Sequence, residues 1–382
     1  MEMQTALTNG KEAKRRREFR PAGLAALLLI LYSGLSWAGP MTYTAINLGT
    51  LGGTNAYGTA VNDSGQVTGF SDIAEGSGPA VQHAFLYSGG IMTDLGTLGG
   101  TYSYGRGINN KGQVTGDALT ASSGGSVEHA FLYSGGIMTD LGTLGGESYS
   151  YAYGINDNGQ ITGFSGDHAF LYSNGTMIDL GTLGGSDNVG FAINNSGQIT
   201  GTSSDHAFLY SGGAMIDLSA VSTPAMGYAI NDRGQIAGIS NGYAFLYSSG
   251  TMTDLGTLGG DYSWAQGIND SGQVTGASRI SGTCGPPLCT THAFIYTDGA
   301  MYDLNSLVTD GLNPGTVLGQ ATDISDSGFI VADGVVATGP VGSAYLLVPN
   351  VAPEPASFTL IVLGGVGLSA MWSLAQKIFG VI

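Results

Sequence analysis

Short runs in which hydrophobic and polar residues alternate follow one another along most of the chain, and each run ends at a turn. The segment "GINDSGQVTG" at Gly267 places two runs around an Asn-Asp-Ser-Gly step, and "HAFLYSGGIMTDL" at His83 places two around Ser-Gly-Gly. A period of two is typical of β-strands, and these steps suit the tight turns of hairpins. Each pair of segments therefore predicts four antiparallel strands.

The same four-strand unit recurs along the chain. The Asn turn appears seven times, beginning at Ala60, Gly107, Gly154, Ala192, Ala229, Gly267 and, in a worn form, Asp323. The "HAFLY" motif begins at His83, His129, His168 and His206, with variant forms at Tyr243, His292 and Ser343. The element "DLGTLGG" begins at Asp94, Asp140, Asp179 and Asp254, with eroded forms at Asp217 and Asp303 and a leading copy at Asn47.

A single sheet of four short strands cannot cover both of its faces, so the copies must stack on one another. The repeats run from Tyr43 to Pro349, which gives a period of about 44 residues and matches the blade of a β-propeller. The sequence therefore predicts an all-β repeat protein, a seven-bladed β-propeller of four-stranded blades. A β-solenoid is the alternative.

The phase of the repeat favours the propeller. The strand "MTDLG" comes last in each unit, yet the chain begins with that strand and ends without it. A ring requires its first and last strands to meet, whereas a solenoid does not. We therefore expect residues 42–48 to complete the sheet formed by residues 320–349 and to leave no open edge between the ends.

Composition and charge restrict the class of partner. Glycine accounts for 66 residues and charged residues for only 10%, which is typical of a turn-rich β protein rather than of a disordered chain. The formal charge is −17, and six of the 11 basic residues precede residue 39, as do three of the 28 acidic residues, so 25 acidic residues face 5 basic residues in the remainder. This balance disfavours nucleic acid and anionic lipid as partners.

The first 38 residues have the features of a secretory signal peptide. A basic region, "KRRREFR", precedes an apolar run, and small residues place a cleavage site between Ala38 and Gly39. An uncleaved N-terminal anchor is the alternative, although the apolar run is shorter than the roughly 20 residues of a membrane span. We expect the mature chain outside the inner membrane.

The C-terminal segment, residues 350–382, carries a second targeting signal. Pro353, Glu354 and Pro355 directly precede an uncharged apolar stretch, residues 356–375, which is long enough for a transmembrane helix. This arrangement resembles the PEP-CTERM sorting signal of Gram-negative bacteria. The resemblance implies removal by an exosortase-type membrane protease and, until then, attachment to the membrane; a plain C-terminal anchor is the alternative.

The repeat itself, residues 39–349, resembles the extracellular family named HAF after its His-Ala-Phe signature. That signature stands at His83, His129, His168, His206 and His292. The resemblance implies a secreted bacterial protein built of β repeats, and the family supplies no catalytic residues to transfer.

No catalytic, cofactor-binding or metal-binding residue is assigned from the sequence. The five histidines share one repeat position and are expected to form hydrogen bonds within or between blades, because equivalent positions lie too far apart to share a metal ion. A nucleophile-elbow match at residues 238–242 falls between two strands, whereas that motif needs a strand-to-helix turn. Cys284 and Cys289 flank "GPPL" in an insertion and are expected to form a disulfide in a secreted chain.

Variable loops and aromatic residues are predicted on one face. The connections between the second and third strands vary in length and should emerge beside the links between blades. Those two sets of segments bring together Tyr102, Tyr104, Tyr149, Tyr151, Tyr262 and Trp264. These rings either stack on the sugars of a surface polysaccharide or pack between blades.

These observations predict a secreted, non-enzymatic protein of the cell surface or the biofilm matrix of a Gram-negative bacterium. Its expected partners are an exopolysaccharide or another envelope protein. One alternative is a propeller glycoside hydrolase or lyase, which would need two carboxylates about 5–9.5 Å apart, with Asp72, Asp117 and Glu147 as candidates. A purely structural surface protein is the second alternative.

Overall fold

The structure is a computed structural model that describes residues 41–74, 81–121, 127–218, 224–281, 291–336 and 339–350. Over these ranges the strands form seven separate sheets, six with four strands and one with five. Each four-stranded sheet uses four consecutive antiparallel strands, as the repeat predicts. The sheets form the blades of a propeller, which confirms that fold over the solenoid.

Blades 1 to 6 follow the chain without crossing. Blades 1 and 2 contain β2 (Gly52–Val61), β3 (Val67–Ile73), β4 (Gln82–Ser88), β5 (Ile91–Asp94), β6 (Gly99–Ile108), β7 (Val114–Thr120), β8 (Glu128–Ser134) and β9 (Ile137–Asp140). Blades 3 and 4 contain β10 (Ser150–Ile155), β11 (Ile161–Ser165), β12 (His168–Ser173), β13 (Thr176–Asp179), β14 (Asn188–Ile193), β15 (Ile199–Ser203), β16 (His206–Ser211) and β17 (Ala214–Asp217). Blades 5 and 6 contain β18 (Ala225–Ile230), β19 (Ile236–Ser240), β20 (Tyr243–Ser248), β21 (Thr251–Asp254), β22 (Gly259–Ile268), β23 (Val274–Ile280), β24 (Thr291–Thr297) and β25 (Ala300–Asp303).

Blade 7 joins the two ends of the repeat region. Its strands from the centre outward are β27 (Thr316–Ile324), β28 (Ile330–Val336), β29 (Gly339–Pro349) and β1 (Tyr43–Asn47). Strand β1 runs antiparallel to β29, from Tyr43 opposite Pro349 to Asn47 opposite Tyr345. The predicted closure by the N-terminal strand is therefore confirmed.

The closing blade has a fifth strand that the repeat does not predict. After blade 6 the chain forms a single helical turn, α1 (Leu304–Leu307), and then β26 (Val308–Asp310), which pairs in parallel with the outer edge of β1. The Asp303 side chain caps α1 by accepting a hydrogen bond from the Asn305 amide. Strand β1 is therefore held between two neighbours.

The third strand of each unit packs against both adjacent blades. In blade 1, Phe85 and Tyr87 lie in a cluster with residues of blade 7, whereas Ala84 lies in a cluster with Val114 and Phe131 of blade 2. This division follows the strand period of two. Seven such clusters occupy the junctions between described blades, so the hydrophobic core is divided around the ring.

Close contact between the first and second strands explains a repeated glycine. A Cβ atom on Gly69 in "QVTG" would collide with the Tyr57 carbonyl oxygen, and one on Gly116 would collide with that of Tyr104. Glycine is therefore required where these backbones meet.

Three predictions concern segments outside the described residues: the signal peptide at 1–38, the sorting segment at 350–382, of which only Asn350 is described, with its helix at 356–375, and the disulfide of Cys284 and Cys289. No helix among the described residues is long and apolar enough to cross a membrane.

Candidate binding site on the loop face

The links between blades and the turns between second and third strands lie on one face, as the sequence predicts. The backbone amide of Asn188, in a link, donates to the Asp167 carbonyl, in such a turn, at 3.4 Å. The Ala225 amide likewise donates to the Asp205 carbonyl at 2.9 Å. We call this side of the propeller the loop face, and the opposite side, which carries the Asn turns, the turn face.

Two hydrogen-bonded rings hold the blades together at the turn face, and the first is interrupted at Ser325, which has no side-chain amide to donate. Each buried Asn of the repeat donates its Nδ2 to the carbonyl of its counterpart in the next blade, as Asn109 does to Asn156 at 3.0 Å. The carboxylate or amide of the following residue accepts from a backbone amide of the preceding blade, as Asp157 does from Asn110 at 2.8 Å. The second ring returns to its start where the Ser327 amide donates to Asp63 at 3.1 Å.

The second ring gives the recurrent acids a role that the sequence did not predict. Asp63, Asp157, Asp232 and Asp270 lie in the Asn turns, and each carboxylate accepts a bond from a neighbouring blade. Burial, together with the negative charges of Asp270, Asp63 and Asp232, raises the pKa of Asp326. Negative charge is therefore concentrated on the turn face.

A propeller has a central channel, and a ring of aliphatic side chains lines this channel next to the Asn turns. It consists of Val61, Ile108, Ile155, Ile193, Ile230, Ile268 and Ile324. These side chains border a first cavity, at the turn face. Five of them also border a second cavity further along the channel: Ile108, Ile155, Ile193, Ile230 and Ile268. We call all seven together the aliphatic ring, which separates the turn face from that cavity.

The second cavity has a volume of about 380 Å³, within the range of pockets that bind small ligands. Its wall is formed at one repeat position, two residues before the aliphatic ring. We call this set the inner ring: Thr59, Arg106, Tyr153, Phe191, Tyr228, Gln266 and Thr322. No sequence motif marks this set, although the aligned repeats have a variable position here between nearly constant neighbours.

A second set of side chains lies two residues earlier in the same strands, and in blade 2 its member Tyr104 contacts Arg106 of the inner ring. We call it the outer ring: Tyr57, Tyr104, Tyr151, Val189, Met226, Trp264 and Gln320. Three of the predicted loop-face aromatics, Tyr104, Tyr151 and Trp264, belong to it.

Aromatic contacts form an arc across several blades. Phe70 lies between Tyr57 and Tyr104, with ring centroids 5.1 and 4.9 Å away. The Arg106 guanidinium lies over the Tyr104 and Tyr153 rings at 5.8 and 5.0 Å. The arc continues from Tyr153 to Phe191 at 5.4 Å and from Phe191 to Tyr228 at 5.1 Å.

Arg106 is neutralised by a partner in its own blade. Its Nε donates to Asp117, whose side chain is only 1% exposed, whereas that of Arg106 is 29% exposed. Burial raises the pKa of Asp117, and the Arg106 guanidinium offsets part of that shift. Such a pair adds no net charge to the cavity wall.

The six predicted aromatics fall into three pairs, which belong to blades 2, 3 and 6. Tyr102 contacts Tyr104 and donates its hydroxyl to Glu128. Tyr151 stacks on Phe164 of its own blade at 4.9 Å, and Tyr149 lies at the edge of that pair with 36% of its surface exposed.

The third pair lies in blade 6. Tyr262 and Trp264 are in contact at 5.6 Å, and the Arg279 guanidinium lies 5.1 Å from the Tyr262 ring. Tyr104 packs between blades, as one of the two predictions has it, because it contacts Phe70 of blade 1. Tyr149 and Tyr151 instead pack within blade 3.

Two carboxyl groups join blade 7 to blade 1 beside the cavity. Asp323 accepts from the Val61 amide at 3.0 Å, and burial raises its pKa to about 7. Asp333 accepts from the Gly58 amide at 3.1 Å, and burial raises its pKa to about 6. Asp323 replaces the Gly or Ala of the other repeats, so only this repeat has a carboxyl group at that position.

One acceptor in the cavity wall has no partner. The Oε1 atom of Gln266, in the inner ring, is buried and accepts no hydrogen bond from the described residues. An unsatisfied buried acceptor costs about 1–3 kcal/mol. Gln266 also lines the cavity, so a turn of its amide would bring this acceptor to a hydroxyl or water there.

The repeated histidines form the predicted hydrogen bonds, and these lie within blades. Each Nδ1 contacts the Asp that ends the next strand, as His83 does with Asp94 at 2.8 Å and His292 with Asp303 at 2.7 Å. Equivalent pairs form at His129, His168 and His206. Over the described part of the chain, no three His, Cys, Asp or Glu side chains are grouped so as to hold a metal ion.

Two of the three carboxylates considered for glycoside cleavage, Asp72 and Asp117, have structural partners. Asp72 is buried and accepts from Asn55 Nδ2 at 2.8 Å and from Gln82 Nε2 at 3.0 Å. Asp117 is paired with Arg106. The Glu147 carboxyl lies beside Gly166, in the next turn of the loop face.

The sheet order and the channel define the protein as a closed seven-bladed β-propeller. The chain matches no family model and no curated protein. Among solved structures it is similar to a chain of the mitotic checkpoint complex, with 10% identity over 92% of this chain and 99% of that one and a TM-score of 0.48. It is also similar to the β-propeller domain of the Trilobed protease from Pyrococcus furiosus, with 10% identity over 76% and 95% and a TM-score of 0.45.

A third similarity is to the extracellular domain of a one-component system from B. thetaiotaomicron. The identity is 11% over 80% of this chain, and the TM-score is 0.47. The match spans 39% of the length of that protein.

Proposed function

We propose that the protein is a secreted, non-enzymatic propeller that binds a neutral polysaccharide of the cell surface or biofilm matrix through its loop face. The observation that carries the proposal is the aromatic arc around the channel mouth, together with the partly exposed rings of Tyr149, Tyr151 and Trp264. Aromatic rings offer large apolar faces at a low cost in side-chain entropy. Such faces suit the C–H faces of sugar rings.

Charge favours a neutral glycan over an acidic one. The chain carries a formal charge of −17, and Asp117 neutralises Arg106 beside the aromatic arc. An anionic polymer would meet repulsion over most of the surface. A neutral polymer would bind by stacking and by hydrogen bonds to the loop backbones.

Binding without cleavage is supported by the carboxylates near the arc. Asp72 accepts bonds from Asn55 and Gln82, and Asp117 is paired with Arg106. Inverting and retaining glycosidases need one carboxyl free to donate a proton and another free to act as base or nucleophile. The structural partners of Asp72 and Asp117 oppose both roles.

Export and anchoring fit this function. The N-terminal segment, with cleavage between Ala38 and Gly39, would deliver the propeller outside the inner membrane. The PEP-CTERM-like segment would hold it at the membrane until an exosortase-type protease releases it to the surface.

The test is retention of the protein on immobilised neutral and acidic bacterial exopolysaccharides, combined with an assay for released reducing ends. Tyr151→Val and Trp264→Met copy Val189 and Met226, which occupy the same position in blades 4 and 5, so both variants are compatible with the blade. We expect the double variant to lose retention on the neutral polymer at least tenfold while its thermal unfolding stays within a few degrees of the parent.

Ile91→Thr is the matched control. Ile91 is 69% exposed on an outermost strand, and blade 5 has Thr251 at the same position. Unchanged retention in the double variant would overturn the proposed surface. Release of reducing ends would make the protein an enzyme, and failure of the parent to bind any polymer would favour a structural role.

A further inference from the structure

We infer that the cavity inside the channel mouth is a specificity pocket for one neutral, hydroxyl-rich sugar unit, namely the terminal residue of the bound glycan. The inference rests on the proposed function and assigns a separate role to the inner ring. The cavity volume of about 380 Å³ suits a small ligand rather than a polymer segment that passes through.

The aliphatic ring gives the pocket its floor. Ile155, Ile193 and Ile230 border both this cavity and the one at the turn face, so they stand between the two. A glycan that enters from the loop face meets apolar side chains at the bottom. This geometry favours a chain end over the middle of a polymer.

The two sides of the inner ring differ in chemistry. Tyr153, Phe191 and Tyr228 occupy consecutive blades and form the aromatic side. Gln266 and Thr322 lie in the two blades that follow and form a polar side. A pyranose has an apolar face for the first side and hydroxyl groups for the second.

Gln266 supplies the most specific feature. Its buried Oε1 atom accepts no bond from the described residues, and therefore lacks the donor that a buried carbonyl oxygen requires. A sugar hydroxyl in the cavity becomes such a donor when the Gln266 amide turns toward it. A site that relies on this bond discriminates strongly against analogues without the hydroxyl.

The charged groups of the lining are already engaged. Arg106 is paired with Asp117, and the Asp323 carboxylate accepts from the amides of Val61 and Ile324. A ligand with its own charge would enter this site without a free counter-charge and would lose its hydration. The pocket therefore favours a neutral sugar over a uronic acid.

Variation among the repeats coincides with the pocket. The aliphatic position is Val or Ile in every blade, whereas the inner-ring position is Thr, Arg, Tyr, Phe, Tyr, Gln and Thr in turn. A repeated blade needs only one residue type at this position for stability. The variation gives the pocket two unlike sides, as recognition of an asymmetric ligand requires.

The test uses saturation-transfer NMR and calorimetry on the full chain with millimolar D-glucose, D-galactose, D-mannose, N-acetyl-D-glucosamine and D-glucuronic acid. We expect at least one neutral sugar to bind and glucuronic acid not to bind. Phe191→Thr copies Thr59 and Thr322, and Gln266→Leu keeps the size of the side chain but removes the acceptor. Each variant is expected to weaken that binding about five- to tenfold, while Ile91→Thr leaves it unchanged.

The outcomes separate this inference from the proposed function. If no neutral sugar binds, or if the Phe191 and Gln266 variants bind like the parent, the pocket is wrong even where the polymer is still retained. Binding of glucuronic acid as tightly as of the neutral sugars would contradict the chemistry of the lining. Sugar binding that depends on Phe191 without retention of any polymer would support the pocket and overturn the proposed polysaccharide surface.

Discussion

Replacement of Asp333 by Asn tests how the ring is closed between blades 7 and 1. Asp333 is 6% exposed and accepts hydrogen bonds from the Gly58 amide at 3.1 Å and from Gln320 Nε2 at 3.0 Å. An Asn side chain keeps the first bond, and the second is restored if the Gln320 amide turns over. The substitution therefore removes the charge while retaining the contacts between the blades.

The magnitude follows from the pKa of this carboxyl. Burial raises the pKa of Asp333 from 3.8 to about 6, which corresponds to about 3 kcal/mol at about 1.4 kcal/mol for each pH unit. Between these two values the folded state holds a proton that the unfolded state has lost, so the stability of the native protein falls as the pH rises. Above the folded pKa the loss is complete, and relaxation of the surroundings around the charged carboxylate makes this figure an upper bound.

The assay is chemical denaturation of parent and variant at about pH 3 and about pH 8, because these values bracket the two pKa values. We expect Asp333→Asn to match the parent at the lower pH and to be more stable by up to about 3 kcal/mol at the higher. Asp254→Asn, at the exposed end of β21, where the side chain accepts from the Gly256 amide at 2.8 Å, is the control. If the Asp333→Asn variant is equally destabilised at both pH values, the reasoning is refuted.

Three further substitutions test other parts of the ring. Tyr43→Ala removes a buried side chain from the closing strand and should cost about 3–5 kcal/mol and open β1 to limited proteolysis; a resistant variant would contradict the closure. Asn109→Ala should cost about 2–4 kcal/mol in denaturation because it leaves buried partners unsatisfied, and Asn109→Ser, which copies Ser325, should cost clearly less; equal losses would argue against the ring of Asn bonds. His83→Tyr, which copies Tyr243, should change stability by less than about 1 kcal/mol because the pair with Asp94 is partly exposed; a larger loss would give the histidines a greater role.

The fold could be predicted because the same pattern is written in every repeat. Alternation indicated the strands, the Asn and Gly steps indicated the turns, and the leading copy at Asn47 indicated the closure that the pairing of β1 with β29 confirms. Strand β26 could not be predicted in the same way. Its three residues, Val308–Asp310, are too few to show a period, and they follow an eroded copy of the repeat.

The candidate site was predicted only in part. Tyr104 and Trp264 were placed on the loop face because the links between blades could be recognised in the sequence. The inner ring and the bonds made by Asp157 depend on which side chains face the channel and on which residue of the next blade lies opposite. Those relations arise only when the blades assemble around a common axis, and local patterns do not contain them.

Hydrogen–deuterium exchange in the presence of the retained polysaccharide tests the central claim most directly. Binding at the loop face should slow exchange in the links that contain Tyr149, Asp187 and Asp261, and should leave the outermost strands and the turn face at Asn109 unchanged. Protection confined to the turn face or to the outermost strands would place the glycan elsewhere and contradict the account.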